Sequence, residues 1–278
     1  MARSTNSPGD MAALARAISP LPPSVWWELG QSILICTPRS VADDCERLVG
    51  YLQPAPRVEG AGMIPPREPF LLVANHLQAS NLWIGWVAAT ITAAVARARD
   101  RDTRNLHWVV LSEWRWFELG RLWVPNPVSS LIFPRAARCW GLIPMPSRPT
   151  DVAGRAAAVR RMLAFLGQGH LPHSATGEPV AMFPEGRASF ALLEALPGTG
   201  SLLHMVSRLG IPLLPAGGFP SEGRLVIRFG PPFRLESPPT GDIDGWARRR
   251  VMAAIARLLP PTMWGAYTSM VEGPADGS

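Results

Sequence analysis

The sequence contains no lysine: all 27 basic residues among its 278 residues are arginine. Arginine binds phosphate through two parallel N–H donors, whereas lysine acts as a point charge. With 21 acidic residues the formal net charge is +6, which favours nucleic acid, an anionic membrane or an acidic small molecule as the binding partner. The arginines are scattered, their longest run is Arg248 to Arg250, and no nucleic-acid-binding motif occurs. The sequence therefore predicts that the protein does not bind nucleic acid.

The sequence has few cysteines and lacks the common cofactor-binding motifs. The three cysteines are odd in number and lack the spacing of metal ligands, which is typical of a reducing, cytosolic location. His170 and His173 form an H-x-x-H pair without a third ligand, so we predict no metal site. The sequence lacks a Walker loop, a dinucleotide-binding fingerprint and a G-x-S-x-G elbow. We therefore expect no bound cofactor and no serine-hydrolase chemistry.

No secretory signal is recognisable, because the first twenty residues carry Asp10 and lack a long apolar core. This predicts an amino terminus in the cytosol. Residues 69–96 carry no formal charge, but their first half is polar and their second half is shorter than the roughly 20 residues of a membrane span. We therefore predict a strand, a polar loop and a buried helix in this region.

From residue 70 onward, short apolar runs alternate with helical patterns, which predicts an α/β fold: a mostly parallel central sheet flanked by helices. The predicted strands are residues 70–74, 107–111, 142–145, 180–183, 213–216 and 225–229. The predicted helices are residues 82–97, 152–166, 201–209 and 243–259.

An N-terminal amphipathic helical segment follows the prolines at positions 20, 22 and 23. Trp26, Leu29, Ile33 and Leu34 share one face of it, which fits either a helix lying on a bilayer or a helix packed on the domain. Residues 114–123 are rich in tryptophan and arginine, a combination typical of surfaces that contact lipid headgroups. A membrane surface is therefore a predicted partner, and a buried aromatic core is the alternative.

Two segments place polar residues directly after strand-like runs. The first contains Asn75, His76 and Asn81, and the second contains Glu185, Gly186 and Arg187. In α/β proteins, loops at the carboxyl ends of strands hold the chemistry, so these side chains are expected to meet at one site. A histidine there can accept and return a proton near neutral pH, because its ordinary pKa is about 6.5.

These residues carry a resemblance to a known family. Asn75-His76 and the run from Phe183 to Gly186 resemble the N-H-x-x-x-x-D and F-P-E-G blocks of the glycerolipid acyltransferases. Residues 141–148 and 211–216 resemble that family's second and fourth blocks, in the same order along the chain. The resemblance covers roughly residues 60–265 and departs at Asn81, where the family has aspartate.

The resemblance implies that the protein transfers a fatty acyl group from acyl-CoA or acyl carrier protein to a hydroxyl of a lysophospholipid or glycerol phosphate. It implies catalytic roles for His76, Asn81 and Glu185, with His76 as the base. Arg148 and Arg187 resemble the family's phosphate-binding arginines, although each is displaced by one position from the family's pattern. The implied substrate-binding residues are Asn75, Arg148, Gly186 and Arg187.

The expected domain organisation has three parts: a flexible N-terminus with a membrane-associated helical segment in residues 1–58, an acyltransferase α/β domain in residues 59–270, and a disordered tail in residues 271–278. The expected location is the cytoplasmic face of the cell membrane, with peripheral or monotopic attachment.

Asn81 leaves two alternatives open for the enzyme. If nothing replaces the missing carboxylate, the protein is almost inert, whereas a carboxylate supplied by Glu185 would keep it active. Two further alternatives concern the function itself. The chain is either a catalytically weakened homologue that binds lipid or a protein partner, or an acyltransferase for another acceptor such as a glycolipid.

Overall fold

The computed structural model describes residues 22–78, 85–100, 104–112, 115–119, 122–125, 127–148, 150–168, 177–236 and 241–272. The described strands, in chain order, are β1 (Arg57–Glu59), β2 (Leu71–Ala74), β3 (His107–Leu111), β4 (Arg115–Leu119), β5 (Leu122–Pro125), β6 (Ile143–Met145), β7 (Val180–Met182), β8 (Leu213–Ser221) and β9 (Arg224–Phe229). The described α-helices are α1 (Pro23–Ile35), α2 (Val41–Val49), α3 (Gly85–Ala98), α4 (Pro127–Cys139), α5 (Val152–Phe165), α6 (Thr199–Arg208), α7 (Ile243–Ala256) and α8 (Thr268–Glu272).

Seven of these strands form one sheet in the order β1-β9-β8-β2-β7-β3-β6. Strands β8 and β9 form an antiparallel hairpin, and all other neighbours in this sheet pair in parallel. The predicted α/β class with a mostly parallel sheet is therefore confirmed. Strands β2 and β7 are neighbours, with Val73 opposite Met182, so the loops that follow them emerge side by side.

The central strands are buried on both faces because helices cover the sheet. All four residues of β2 and all three residues of β7 are buried. Helix α3 is buried along most of its length and packs against α2. The uncharged region 69–96 therefore contains a strand and a buried helix, as predicted, and residues 79–84 between them lie outside the described part. None of the described helices combines the length and apolar character that crossing a membrane requires.

Some features of the fold were not predicted from the sequence. Strand β1 is an edge strand of three residues, too short to show alternation. Helix α4 contains Pro134, which sequence rules treat as a helix breaker. Strand β8 continues past its predicted end through Gly217 and Gly218, because these glycines pair with β9.

The N-terminal helices are tied to the rest of the chain by Arg39. Its guanidinium donates to Asp44 at 2.5 and 2.6 Å and to Glu28 at 2.8 Å, and its backbone N–H donates to the carbonyl of Cys139 at 2.7 Å. These contacts link α1, α2 and α4, and strand β1 joins the main sheet. The proposed boundary at residue 58 stays a prediction.

Helices α6 and α7 touch at a glycine. The carboxylate of Asp244 in α7 accepts hydrogen bonds from the backbone N–H groups of Gly198 and Ser201, at 3.1 and 2.9 Å, and so caps α6. A Cβ atom added at Gly200 would lie 2.0 Å from the carbonyl oxygen of Asp244, and no side chain fits in that space.

We expect Gly200→Ala and Gly30→Ala to have opposite effects on stability. Both glycines are helical, but a Cβ at Gly30 would meet nothing within 4 Å. Gly200→Ala should lower the free energy of unfolding by about 1–3 kcal/mol through overpacking. Gly30→Ala should raise it by about 0.5–1 kcal/mol through helix propensity. Denaturant unfolding of both variants measures this, and changes of the same sign would contradict the packing described here.

Candidate active site

The loops after β2 and β7 are joined by two backbone hydrogen bonds and a carboxylate. The backbone N–H of Ser189 donates to the carbonyl of His76 at 2.9 Å, and the N–H of Gln78 donates to the carbonyl of Ser189 at 2.9 Å. The N–H of Gly186 closes a turn on the carbonyl of Phe183 at 3.1 Å. The two sequence segments that carry polar residues therefore form one structural unit, as their positions after neighbouring strands predict.

Glu185 is buried, with 1% of its surface exposed, and it supports this unit through both carboxylate oxygens. Oε1 accepts the backbone N–H of His76 at 2.8 Å, and Oε2 accepts the backbone N–H of Leu193 at 2.8 Å. Burial raises the pKa of Glu185, while the two N–H donors and the charge of Arg187 act in the opposite direction. Glu185 therefore fixes the backbone of His76, and its two oxygens accept from backbone N–H groups rather than from the imidazole ring.

The imidazole of His76 is half-buried and lies parallel to the ring of Phe183, with 4.3 Å between ring centroids and 4° between ring planes. Burial lowers its pKa to about 4, and a hydrogen bond to the backbone of Arg187 acts against that shift. The ring is therefore neutral at physiological pH, which is the form that accepts a proton.

The Nδ1 atom of His76 is buried and has no hydrogen-bond partner among the residues that the structure describes. A group that orients a catalytic imidazole acts through such a nitrogen. The sequence assigns that role to Asn81, which lies outside the described residues. The assignment stays a prediction.

Asn75 lies in the interior beside this site, with 3% of its surface exposed. Its Nδ2 donates to the carbonyl of Gly218 at 2.9 Å, and its Oδ1 accepts the N–H of Gly218 at 2.7 Å. The reciprocal pair joins the end of β2 to β8. The structure thus gives Asn75 a role in holding the loop, and its predicted contact with substrate stays a prediction.

Gly186 and Arg187 are exposed at the turn that follows Glu185. Gly186 has φ of 64°, and a Cβ atom there would come within 2.2 Å of Leu196, which explains why glycine follows the glutamate. The turn places Arg187 directly beside the His76 loop. Its position fits the predicted phosphate contact, which stays a prediction.

Arg148 is exposed and follows the edge strand β6, which is separated from β2 by β7 and β3. Three strand spacings correspond to about 14 Å. The structure therefore brings Arg187 next to His76, whereas Arg148 follows the outermost strand, about three strand spacings from β2.

Sequence reasoning missed the aromatic support of His76. Phe183 contacts the buried Trp108 of β3, with ring centroids 4.7 Å apart. Trp108 lies in a central strand of the predicted sheet, and its interior position could have been inferred from that. Among the described residues no group of three or more potential metal ligands occurs, and His170 and His173 lie outside them.

Comparison with known proteins adds little to this description. No protein-family model and no curated protein matches the chain. Among solved structures, the chain is similar to the 1-acyl-sn-glycerophosphate (LPA) acyltransferase PlsC from Thermotoga maritima, with 15% sequence identity and a TM-score of 0.45. The similarity covers 90% of this chain and 88% of that one. This level of similarity assigns no function, so the proposal below rests on the chain's own residues.

The lowered pKa of His76 predicts a dependence of stability on pH. Between pH 6.5 and about 4 the unfolded chain binds a proton at His76 and the folded chain does not. The free energy of unfolding of the wild type should therefore fall relative to that of His76→Gln as the pH drops through this window. Above pH 6.5 the difference between the two proteins should be constant.

Glu185 works with the opposite sign, because its raised pKa makes folding favour its protonated form. His76→Gln keeps the backbone N–H that donates to Glu185, so the contribution of Glu185 cancels in the comparison. Denaturant unfolding at several pH values provides the measurement. A difference that does not change between pH 6.5 and 4 would contradict the burial of the imidazole.

Proposed function

We propose that the protein is an acyltransferase that moves a fatty acyl group from a thioester to a hydroxyl of a lysophospholipid or glycerol phosphate. The observation that carries the proposal is the half-buried imidazole of His76, held at the end of β2 by the hydrogen bond to Glu185 and lying beside the exposed Arg187 turn. A base and a phosphate-binding cation in adjacent loops match the needs of a phosphorylated alcohol.

In the proposed reaction the acceptor hydroxyl approaches His76 while Arg187 holds its phosphate. As the hydroxyl oxygen attacks the thioester carbonyl carbon, the imidazole takes the hydroxyl proton. The tetrahedral intermediate then collapses, the carbon–sulfur bond breaks, and the leaving thiolate takes the proton back from the imidazolium. The products are an ester and a free thiol, and no protein nucleophile is required.

A direct test is incubation of the purified protein with a labelled acyl-CoA or acyl carrier protein and a panel of lysophospholipids, glycerol phosphate and glycolipids. We expect transfer to a phosphorylated acceptor by the wild type and its loss in His76→Ala, since general-base catalysis contributes roughly 10²–10⁴-fold. Arg187→Ala should raise the KM of the acceptor more than the KM of the donor.

Val152→Ala provides the control, because Val152 is an exposed residue at the start of α5, outside the site. Equal turnover by the wild type and His76→Ala would remove His76 as the base. A folded wild type that is inactive on the whole panel would overturn the enzyme proposal and leave the lipid-binding alternative.

We also propose that α1 and α4 bind a membrane surface. Three large apolar side chains of α1 are exposed: Trp27 by 70%, Leu34 by 68% and Ile35 by 75%. Leu131 and Ile132 are exposed on α4. Soluble proteins expose such groups sparingly, and apolar side chains beside arginines are typical of interfacial helices.

The arrangement around α1 supports this orientation. The acidic residue of α1, Glu28, is paired with Arg39 and Arg47 at 2.8 and 2.6 Å, so its charge is balanced within the protein. Arg135 and Arg138 on α4 are available for anionic headgroups through their charge. The exposed set differs from the face predicted from sequence, because Leu29 and Ile33 are half-buried whereas Trp27 and Ile35 are exposed. The side chain of Trp26 and those of residues 114–123 lie outside the described part.

Membrane binding can be measured by cosedimentation with phosphatidylglycerol vesicles. Replacing Trp27, Leu34 and Ile35 together by serine should weaken the partition coefficient by at least about tenfold, because each buried apolar side chain contributes about 1.5–3 kcal/mol. Point variants are preferable to truncation, since removal of residues 1–45 would uncover α3.

The matched control carries serine at Val152 and Met270, which are exposed apolar residues outside α1 and α4. It should bind like the wild type. Equal loss of binding in both variants, or no loss in either, would contradict a membrane surface on α1.

A further inference from the structure

The catalytic candidate His76 rests on a row of aromatic rings that leads into the core. Its imidazole stacks on Phe183 at 4.3 Å, and Phe183 contacts Trp108 at 4.7 Å with 32° between ring planes. Trp108 is 4% exposed and belongs to strand β3, which lies between β7 and the edge strand β6. The indole of Trp108 therefore contacts the ring on which the imidazole stacks.

One hydrogen bond fixes that indole. The Nε1–H of Trp108 donates to Oγ1 of Thr92 in α3 at 2.8 Å. The hydroxyl of Thr92 in turn donates to the carbonyl of Ala88 at 2.7 Å, which leaves its oxygen lone pair facing the indole. Thr92 has none of its surface exposed, so water cannot replace this contact.

We propose that Trp108, anchored by Thr92, is a positioning residue for His76 and acts through Phe183. The inference rests on the proposed function, in which His76 is the base. Without the hydroxyl of Thr92 the indole N–H is a buried donor with no acceptor. The indole then shifts to find one, Phe183 follows it, and the imidazole loses both its fixed plane and part of its burial.

The matched variants lie on the same helix. Thr92→Val removes the acceptor and keeps the side-chain shape, and Thr92→Ser restores the hydroxyl. Thr90→Val is the control, because Thr90 is 2% exposed and its hydroxyl has no hydrogen-bond partner among the described residues. Trp108→Phe is a second route to the same effect: it removes the N–H and shrinks the ring, and no buried donor is left behind.

Two readouts separate positioning from a general structural role. The first is the NMR titration of the His76 ring, assigned by the signal that disappears in His76→Gln. The second is the division of acyl transfer between kcat and KM. The titratable groups near the aromatic rings do not interfere with the NMR titration of His76. Burial raises the pKa of Cys45, which contacts Thr92, to about 12, and Glu185 is present in all variants.

In Thr92→Val the pKa of His76 should rise from about 4 toward its ordinary 6.5, because the imidazole is better hydrated. The kcat should fall roughly 10- to 100-fold with little change in KM, as expected for a misplaced catalytic group. Thr92→Ser should recover both values, and Thr90→Val should match the wild type. Trp108→Phe should shift the titration in the same direction as Thr92→Val.

The proposal is overturned if Thr92→Val changes neither readout more than Thr90→Val does. If Thr92→Val does not fold, an unmoved titration in Trp108→Phe overturns it instead. A wild type without acyl transfer would overturn the proposed function, while the titration would still decide whether Trp108 positions His76.

Discussion

The candidate site depends on the buried carboxylate of Glu185. Its two oxygens accept backbone N–H groups from different loops, that of His76 after β2 and that of Leu193 after β7. A carboxylate with 1% exposure is costly to bury unless it is hydrogen-bonded, and hydrogen bonds to charged groups contribute about 1.5–3 kcal/mol each. Glu185 therefore holds His76 in place by fixing the backbone of that residue.

The two candidate arginines follow different strands of the sheet. Arg187 lies in the loop after β7, beside His76, whereas Arg148 follows the edge strand β6. The two arginines displaced from the family pattern therefore differ in position. In the proposed function, Arg187 would bind the phosphate of an acceptor that reacts at His76, whereas Arg148 follows a strand about three strand spacings away. An acceptor with a phosphate close to its hydroxyl fits the first of these arginines.

The helices α1 and α4, which expose apolar side chains, are connected to the helices that pack near the candidate site. Arg39 links α1 and α2 to the end of α4, and α2 packs against α3, whose Thr92 holds Trp108. A series of contacts therefore connects the helices that expose apolar side chains to the aromatic row that contacts His76.

Much of this fold was predictable from local patterns. The strands around Leu72 and Ala181 are continuous apolar runs, and α7 has a clear helical period, so their positions agree with the sequence-based ranges within a few residues. The prediction failed where tertiary contacts decide the outcome. Strand β1 exists because β9 pairs with it, and β8 continues through Gly218 because Asn75 and β9 satisfy that backbone.

The meeting of His76 and Glu185 was also predictable, because both follow strands that run in parallel. The hydrogen-bond partners of the Glu185 carboxylate were not predictable. The sequence allowed its carboxylate to serve the imidazole, whereas the structure gives both oxygens to backbone N–H groups. Trp108 was missed as a support because its partners, Thr92 and Phe183, come from separate parts of the chain.

Glu185 is engaged by the backbone, so it does not replace the carboxylate that the family pattern places at position 81. Among the residues that the structure describes, no carboxylate hydrogen-bonds the imidazole of His76. In the proposed function we therefore expect the lack of a negatively charged partner to limit the rate. The most direct measurement is kcat of Asn81→Asp against wild type with the same donor and acceptor. Loss of the equivalent charge in serine proteases costs about 10⁴-fold, so we expect Asn81→Asp to raise kcat by orders of magnitude. An unchanged or lower kcat in a folded Asn81→Asp protein would contradict it.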